Sequence, residues 1–497
     1  MSAFRAGNPA AGSWPKPDIR AYLTRRAFEA RATGSGQSRI NEKATIMTTA
    51  AHTRTSSREQ TVHAATFTTA AIETRSRQRS GRALDMMLTQ RGDPFVEVER
   101  ALADDPGCVF CHCLRAALIV RADGNAPRSA LATSIAAIEA ACLDTDDPAR
   151  RHAIAARTWL AGDSAGAAAL YSEIFTDRPH DVLALAVAHA LDFHLGRRRM
   201  MRDRIAKALP QWSAEVPGYA SVLAMYAFAL EENGEYDRAE KMARRALAFD
   251  PGHPGAIHVV AHVMEMQGRF YDGLIFLSAT EWAWGEGTGL SVHLAWHLAL
   301  FYLDANDPKS ALAIYDARMA TADNSDLSAL ADDSALLWRL QLQNIGVSER
   351  WQPLADRWAR HNLAETRPFY AVHAMMAFAS AGHTAAALRL VNALPRTVID
   401  EGSSPLPEEA LALPLCEALL AFVRSDYAEC VKQLGLVRGI ADRCGGSLAQ
   451  CDVIDLTFTE AALRAQQARL ASGLVAEHIA RKPAMPGKAS GQTRSEG

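Results

Sequence analysis

The sequence predicts an all-α fold, a superhelical solenoid of stacked α-α helical hairpins, on three observations. Helix-ending residues Gly162, Gly196, Gly234, Gly268 and Asn306 recur at intervals of 34 to 38 residues. Between them run amphipathic segments with small residues at helical spacing, which let one helix approach another closely. Apolar residues make up 49% of the 497-residue chain, enough for one continuous core along such an array.

Taken in order, residues 1–80 are rich in Ala, Ser, Thr, Arg and Gly and poor in acids. Stretches such as Gly34-Ser-Gly-Gln-Ser bury too little to offset the entropy of ordering, so this part reads as a disordered leader, with Met47 an alternative start. Residues 81–470 read as the solenoid. The unit at 219–251 shows the layout: Tyr226 and Leu230, then Gly234-Glu-Tyr236, then Ala239, Ala243 and Ala246, and Pro251 opening the next unit. Glycine ends the first helix, an aromatic packs at the turn, and alanines line the face of the second helix; this is the tetratricopeptide (TPR) layout. Gly162-Asp163 with Ala167 and Tyr171, Gly268-Arg-Phe270 with Gly273, and Asn306-Asp-Pro308 with Ala311 repeat it. Weaker copies stand near Gly346, Gly382 and Asp426. Residues 471–497, ending in a polar stretch after Lys482-Pro-Ala-Met-Pro, read as a flexible tail.

Composition excludes several classes. With 53 basic against 56 acidic residues, the chain lacks the basic stripe that a nucleic-acid binder needs. No apolar run approaches the length of a membrane span, and the missing export signal and scattered cysteines place the chain in the reducing cytoplasm. Cys108-Val-Phe-Cys111-His112 matches the c-type haem attachment pattern. It lies in helical sequence without an export signal, so Cys108, Cys111 and Cys113 read as packed side chains rather than haem or zinc ligands. The Gly285–Gly289 run lacks the Lys-Ser/Thr ending of a phosphate loop and reads as an inter-helix loop beside the groove.

The candidate site is the pair His258-x-x-x-His262 and His293-x-x-x-His297, with Glu265 one turn beyond His262. Each pair puts two imidazoles on one helix face, and the pairs stand one repeat apart, so four imidazoles face one inner wall. They are candidate ligands of a divalent metal such as zinc, with Glu265 a further ligand or a general base. His189 and His373 sit on other inner-wall helices, and Trp282, Trp284 and Trp296 are candidate apolar walls of a ligand groove. A polar groove without metal and plain helix packing are the competing readings of the same residues.

Several strings go beyond generic repeat sequence: His258-Val-Val-Ala-His-Val-Met-Glu-Met-Gln-Gly, His293-Leu-Ala-Trp-His-Leu-Ala-Leu, Ala313-Ile-Tyr-Asp, Ser334-Ala-Leu-Leu-Trp-Arg-Leu, Leu413-Pro-Leu-Cys-Glu-Ala-Leu and Gly445-Gly-Ser-Leu-Ala-Gln-Cys-Asp. Over roughly residues 82–470 the chain resembles the tetratricopeptide-repeat protein 38 family. Leu448 and Cys451 depart from that family's pattern, in which a polar residue and an arginine stand at those places. The resemblance implies a TPR-like helical fold and little about activity. The expected function is a groove that binds a peptide or protein segment or a small ligand; the alternative is a metal-dependent enzyme acting on a small molecule.

Overall fold

The computed structural model describes residues 75–122, 128–320, 326–363, 366–395 and 409–482. Within them the chain forms 22 α-helices and no strand, an all-α helical solenoid. The N-terminal hairpins are α1 (Arg75–Thr89) with α2 (Pro94–Asp104), α3 (Val109–Ala122) with α4 (Arg128–Ala141), and α5 (Pro148–Leu160) with α6 (Ser164–Asp177). The middle of the array holds α7 (Val182–His194) with α8 (Arg198–Ala208), α9 (Tyr219–Glu231) with α10 (Tyr236–Phe249), and α11 (Pro254–Met266) with α12 (Phe270–Trp284). Next come α13 (Ser291–Asp304) with α14 (Pro308–Ile314, continued by a π turn), α15 (Leu327–Leu342) with α16 (Ser348–Trp358), and α17 (Pro368–Ser380) with α18 (Thr384–Ala393). The array ends with α19 (Glu409–Val423) and α20 (Tyr427–Val437), then α21 (Leu448–Arg464) and α22 (Ala468–Arg481).

Local chemistry sets the punctuation. Asp163, Asp181 and Asp307 cap second or first helices by accepting from backbone N–H groups that the helix leaves unpaired. Prolines occupy the first helical position at Pro148, Pro254, Pro308 and Pro368, where no N–H is needed. The first helix of a hairpin ends on a residue in the left-handed region. Gly162, Gly234 and Gly268 do so at φ +95°, +76° and +66°, and Asn306 at +59°. The weaker copies differ in detail: Asn344, not Gly346, takes the left-handed turn, and Ser425 does so before Asp426.

The two helices of a hairpin bury themselves differently. The second helix α10 buries only Ala239, Ala243 and Ala246, a single stripe at i, i+4, i+7. First helices α9, α11, α13, α15 and α17 are buried nearly all round, α11 from Pro254 to Met266 with only Gly255 and His258 left partly open. A helix apolar on every side has neighbours on every side. Here the second neighbour is the far end of the chain.

α21 lies back on α11 and α15, held by polar bonds. Trp338 Nε1 donates to Thr457 Oγ1 at 2.8 Å, Arg339 to the Ala449 carbonyl at 2.9 Å, and Gln450 to Asp332 at 3.0 Å. Arg367 reaches the His194 carbonyl at 3.1 Å, across 173 residues. The turn after α1 joins the loop after α12: Gly92 N–H donates to the Gly287 carbonyl, Gly289 N–H to that of Gln90, and Arg91 pairs with Asp250 at 2.9 Å. The Gly285–Gly289 run therefore clasps the first hairpin; it does not cap the histidines.

Two boundaries and one cysteine pair differ from expectation. The expected leader lies outside the described residues up to position 74, and residues 75–80 already belong to α1. The expected flexible tail is helical through Arg481, because α22 buries Ala471 and Leu474 and pairs His478 with Asp452 and Arg481 with Asp455. Lys482 then ends on buried Glu265 at 3.2 Å and Asp304 at 3.5 Å. Cys108 and Cys111, expected as packed thiols, are joined as a disulfide, and the neighbouring His112 is bonded to the Pro106 carbonyl. No helix of the described residues is long and apolar enough to cross a membrane.

Two substitutions test this packing. Gly273 on α12 faces the Phe301 ring on α13 so closely that a Cβ would penetrate it. Gly273→Ala is expected to destabilise by about 1–3 kcal/mol despite its better helix propensity, read as a lower urea midpoint, with Phe301→Leu restoring most of the loss. Removing the Lys482 charge leaves Glu265 buried without its cation, a loss of about 3–5 kcal/mol for a buried pair. Lys482→Met is expected to speed amide exchange across residues 468–481 while residues 254–304 stay protected; unchanged exchange would show that apolar contacts alone hold the tail.

Candidate metal centre

α11 and α13 are neighbouring first helices, so equivalent positions on their inner faces meet. The i, i+4 spacing then stacks His258 over His262 on one helix and His293 over His297 on the other. The structure brings all four together. His258 and His293 approach at 2.9 Å between Nε2 atoms, and ring centroids are 4.3 Å apart for His258–His262, 4.5 Å for His262–His297 and 4.7 Å for His293–His297. One nitrogen from each imidazole lies within 4.8 Å of the corresponding nitrogen of every other. His262 and His297 are wholly buried; His258 and His293 keep part of their surface open.

Carboxylates stand behind three of the four rings. Asp332 on α15 holds His293 Nδ1 at 2.7 Å, and Glu265 holds His297 Nδ1 at 2.7 Å. Glu231, at the end of α9, places an oxygen 3.3 Å from His262 Nδ1, out of line for a hydrogen bond. An Nδ1–H donated to a carboxylate leaves Nε2 with its lone pair, and His297 Nε2 and His262 Nε2 are both buried without a hydrogen-bond partner. His258 alone has no carboxylate against it among the described residues.

Burial and crowding fix the charge states. Burial, reinforced by the neighbouring imidazoles, pushes His258 well below the usual histidine range. Burial takes His262 down to about 4, against the pull of Glu232 and Glu265, and His297 down to about 3. These three are neutral bases near pH 7. His293 goes the other way: burial lowers it, but Asp332 more than offsets that and raises it. Burial alone would raise Glu265; Lys482 and His297 outweigh it and hold the carboxyl well below its ordinary value. Burial and the Glu265 charge push Glu231 up to about 8, and burial with the Glu231 charge pushes Glu232 to about 7.

The other expected site residues fall in different places. Glu265 sits behind His297, bridging it to Lys482, and so orients a ring rather than facing the centre as ligand or base. Trp284 is fully buried and donates to the Leu277 carbonyl at 3.1 Å, so it is core rather than groove wall. Trp296 is fully buried too, stacked on His293 at 5.3 Å and 17°, with the Arg339 guanidinium 5.4 Å from its ring. Trp282 is 74% exposed, with its ring against Gly252. His373 donates from Nδ1–H to the Phe369 carbonyl, 2.7 Å away within its own helix. His189 lies on α7 with its ring 6.2 Å from Phe228, which also meets His258 and His262 at 5.6 and 5.7 Å.

Sequence reasoning passed over Glu231, Glu232, Asp332, Lys482 and Gln450. The signal was present for the acids, which interrupt helices otherwise apolar all round. Glu231 also forms a second group of possible ligands with Glu232 and His262, again within 4.8 Å of one another.

Comparison with known families bears on the scaffold. A tetratricopeptide repeat family model matches residues 220–270, which span α9, α10 and α11 and so include Glu231, His258, His262 and Glu265. With the hairpin period and the stacked helices on either side, that match makes the protein one of the TPR type.

Proposed function

We propose that this TPR-type scaffold holds one divalent transition-metal ion through His258, His262, His293 and His297, and that a small ligand is handled at that centre. One observation carries the reading: four imidazoles converge, and two of them have a buried ring nitrogen that has no partner. An orphaned buried acceptor is costly, and a metal ion removes that cost. The separations, 2.9 Å to at most 4.8 Å, bracket the roughly 3.3 Å edge of a tetrahedron built on Zn–N bonds of about 2.0–2.1 Å. Neutral imidazoles suit zinc, copper, iron or nickel rather than magnesium or calcium.

Asp332 and Glu265 fix the tautomers and ring planes of His293 and His297, as carboxylates do behind metal-bound histidines. Four imidazoles close a tetrahedron and would make the ion structural. His258, the one ring without a carboxylate behind it and one of the two partly open to solvent, is the ligand whose release would free a position. A bound ion would there supply Lewis acidity to a ligand oxygen or to water.

The inner wall that a peptide would follow is covered by α21 at α11 and α15, which favours a small ligand over an extended segment. The resemblance to the tetratricopeptide-repeat protein 38 family is part of the same proposal. Its strings at 258–268, 293–300, 334–340 and 445–452 fall on α11, α13, α15 and the start of α21, the elements around the histidines.

Metal content decides. Purified full-length protein is expected to carry about one zinc-class ion per chain, and His297→Ala to lose it with the helical signal intact. Glu265→Gln or Asp332→Asn should weaken affinity about 10–100-fold, the range for partners behind metal-bound histidines. Folded protein that takes up neither zinc nor cobalt from solution would overturn the reading.

A further inference from the structure

Beyond Phe228 from the histidine centre lies a second group of side chains to which neither the repeat nor the metal gives a use. Arg121 closes α3 with its Nε buried and without a hydrogen-bond partner; its Nη1 has only a long contact, 3.4 Å, to the Met87 carbonyl. His189 and His194 on α7 each bury an Nδ1 that likewise has no partner. The Arg121 charge is felt at both rings, which burial has already depressed, to about 3 in each case. Arg367 brings a second guanidinium here, bonded to the His194 carbonyl. No described carboxylate pairs with Arg121, and burial alone lowers it, to about 10.

A guanidinium taken out of water without a counter-ion is expensive, and the forked donor set is made for an oxyanion. Three polar atoms left unpaired on the packed helices α3 and α7 point to a missing partner that is anionic and accepts hydrogen bonds. The position is not isolated. The Phe228 ring centroid is 6.2 Å from that of His189, 5.6 Å from that of His258 and 5.3 Å from that of Phe193. Arg121, His189, His194, Phe228 and His258 all keep part of their surface open although they stand on inner elements.

We propose that Arg121, His189 and His194 anchor the carboxylate or phosphate end of a small organic ligand whose body packs on Phe228 and whose other end reaches the position at His258. Arg121 supplies the charge and the two neutral imidazoles supply a donor each. The inference rests on the metal reading only for the far end of the ligand; the anion anchor stands on its own residues.

The test is calorimetric titration of the full-length protein with inorganic phosphate and, separately, with succinate, alongside metal content. Wild-type protein is expected to bind one of the two, which identifies the anion class. Arg121→Gln should weaken that binding at least tenfold, losing a charge-assisted bond, with metal content and melting temperature unchanged. His189→Gln, which keeps the buried charge, should weaken it by a smaller factor and serves if the arginine variant does not fold. Binding of neither anion by metal-loaded protein, or undiminished binding in Arg121→Gln, would overturn the anchor and leave the metal centre standing. Metal-free protein that still binds the anion through Arg121 would support the anchor and remove the metal reading instead.

Discussion

Polar groups sealed into an apolar wall must satisfy one another, and that constraint organises the middle of this protein. Glu265 is 1% exposed, yet remains ionised because His297 and Lys482 take its two oxygens at 2.7 and 3.2 Å. Remove either partner and a carboxylate is left in a medium where its charge costs several kcal/mol. The same pairing sets His297: its Nδ1 is committed to Glu265, so its basic nitrogen can only look toward the other imidazoles. Asp332 does this for His293 while its second oxygen takes Gln450. Each acid thus orients a histidine and ties down a distant piece of chain.

Those ties explain a departure from ordinary repeat behaviour. In a solenoid each unit touches only its neighbours, and stability is a sum of local terms. Here α21 bonds to α9 through Leu448 N–H and Glu232, to α15 through Arg339 and Trp338, and α22 ends on α11 through Lys482. Leu448 makes its bond to Glu232 with backbone alone. The side chain at that position is not needed for the contact.

How much of this could be read beforehand follows from the range of each interaction. Hairpin punctuation is local: a left-handed turn needs Gly or Asn, and its spacing shows in the string. The two histidine pairs are legible as well, because i, i+4 defines a face and one repeat defines the neighbouring face. Their partners are less so: Glu231 and Asp332 stand one repeat away, at positions the histidine spacing does not mark, and Lys482 reaches Glu265 from 217 residues away, which no period encodes. The tryptophans show a different failure. Trp282 and Trp284 are two residues apart, about 200° around a helix, so they cannot share a wall. One had to face out, and it is Trp282. The tail is illegible for the same reason as the histidines' partners: its end is polar in sequence, while Ala471, Leu474 and Lys482 each have a docking place supplied by remote sequence.

A centre on the neighbouring helices α9, α11, α13 and α15 is tied to the C-terminal hairpin by Lys482 and Gln450. Any ion or ligand bound there favours the closed state over every open one by RT ln(1 + [L]/Kd), about 2.7 kcal/mol at a hundredfold excess over Kd. In a linear repeat that energy would be felt by two adjacent units. Here it is felt by the C-terminal hairpin as well, through Glu265–Lys482 and Asp332–Gln450, and, through Arg121, by α3 if the anion anchor is filled. The acids behind the imidazoles therefore serve two ends at once. They prepare nitrogens for an ion, and they make closure of the chain and occupation of the centre depend on each other.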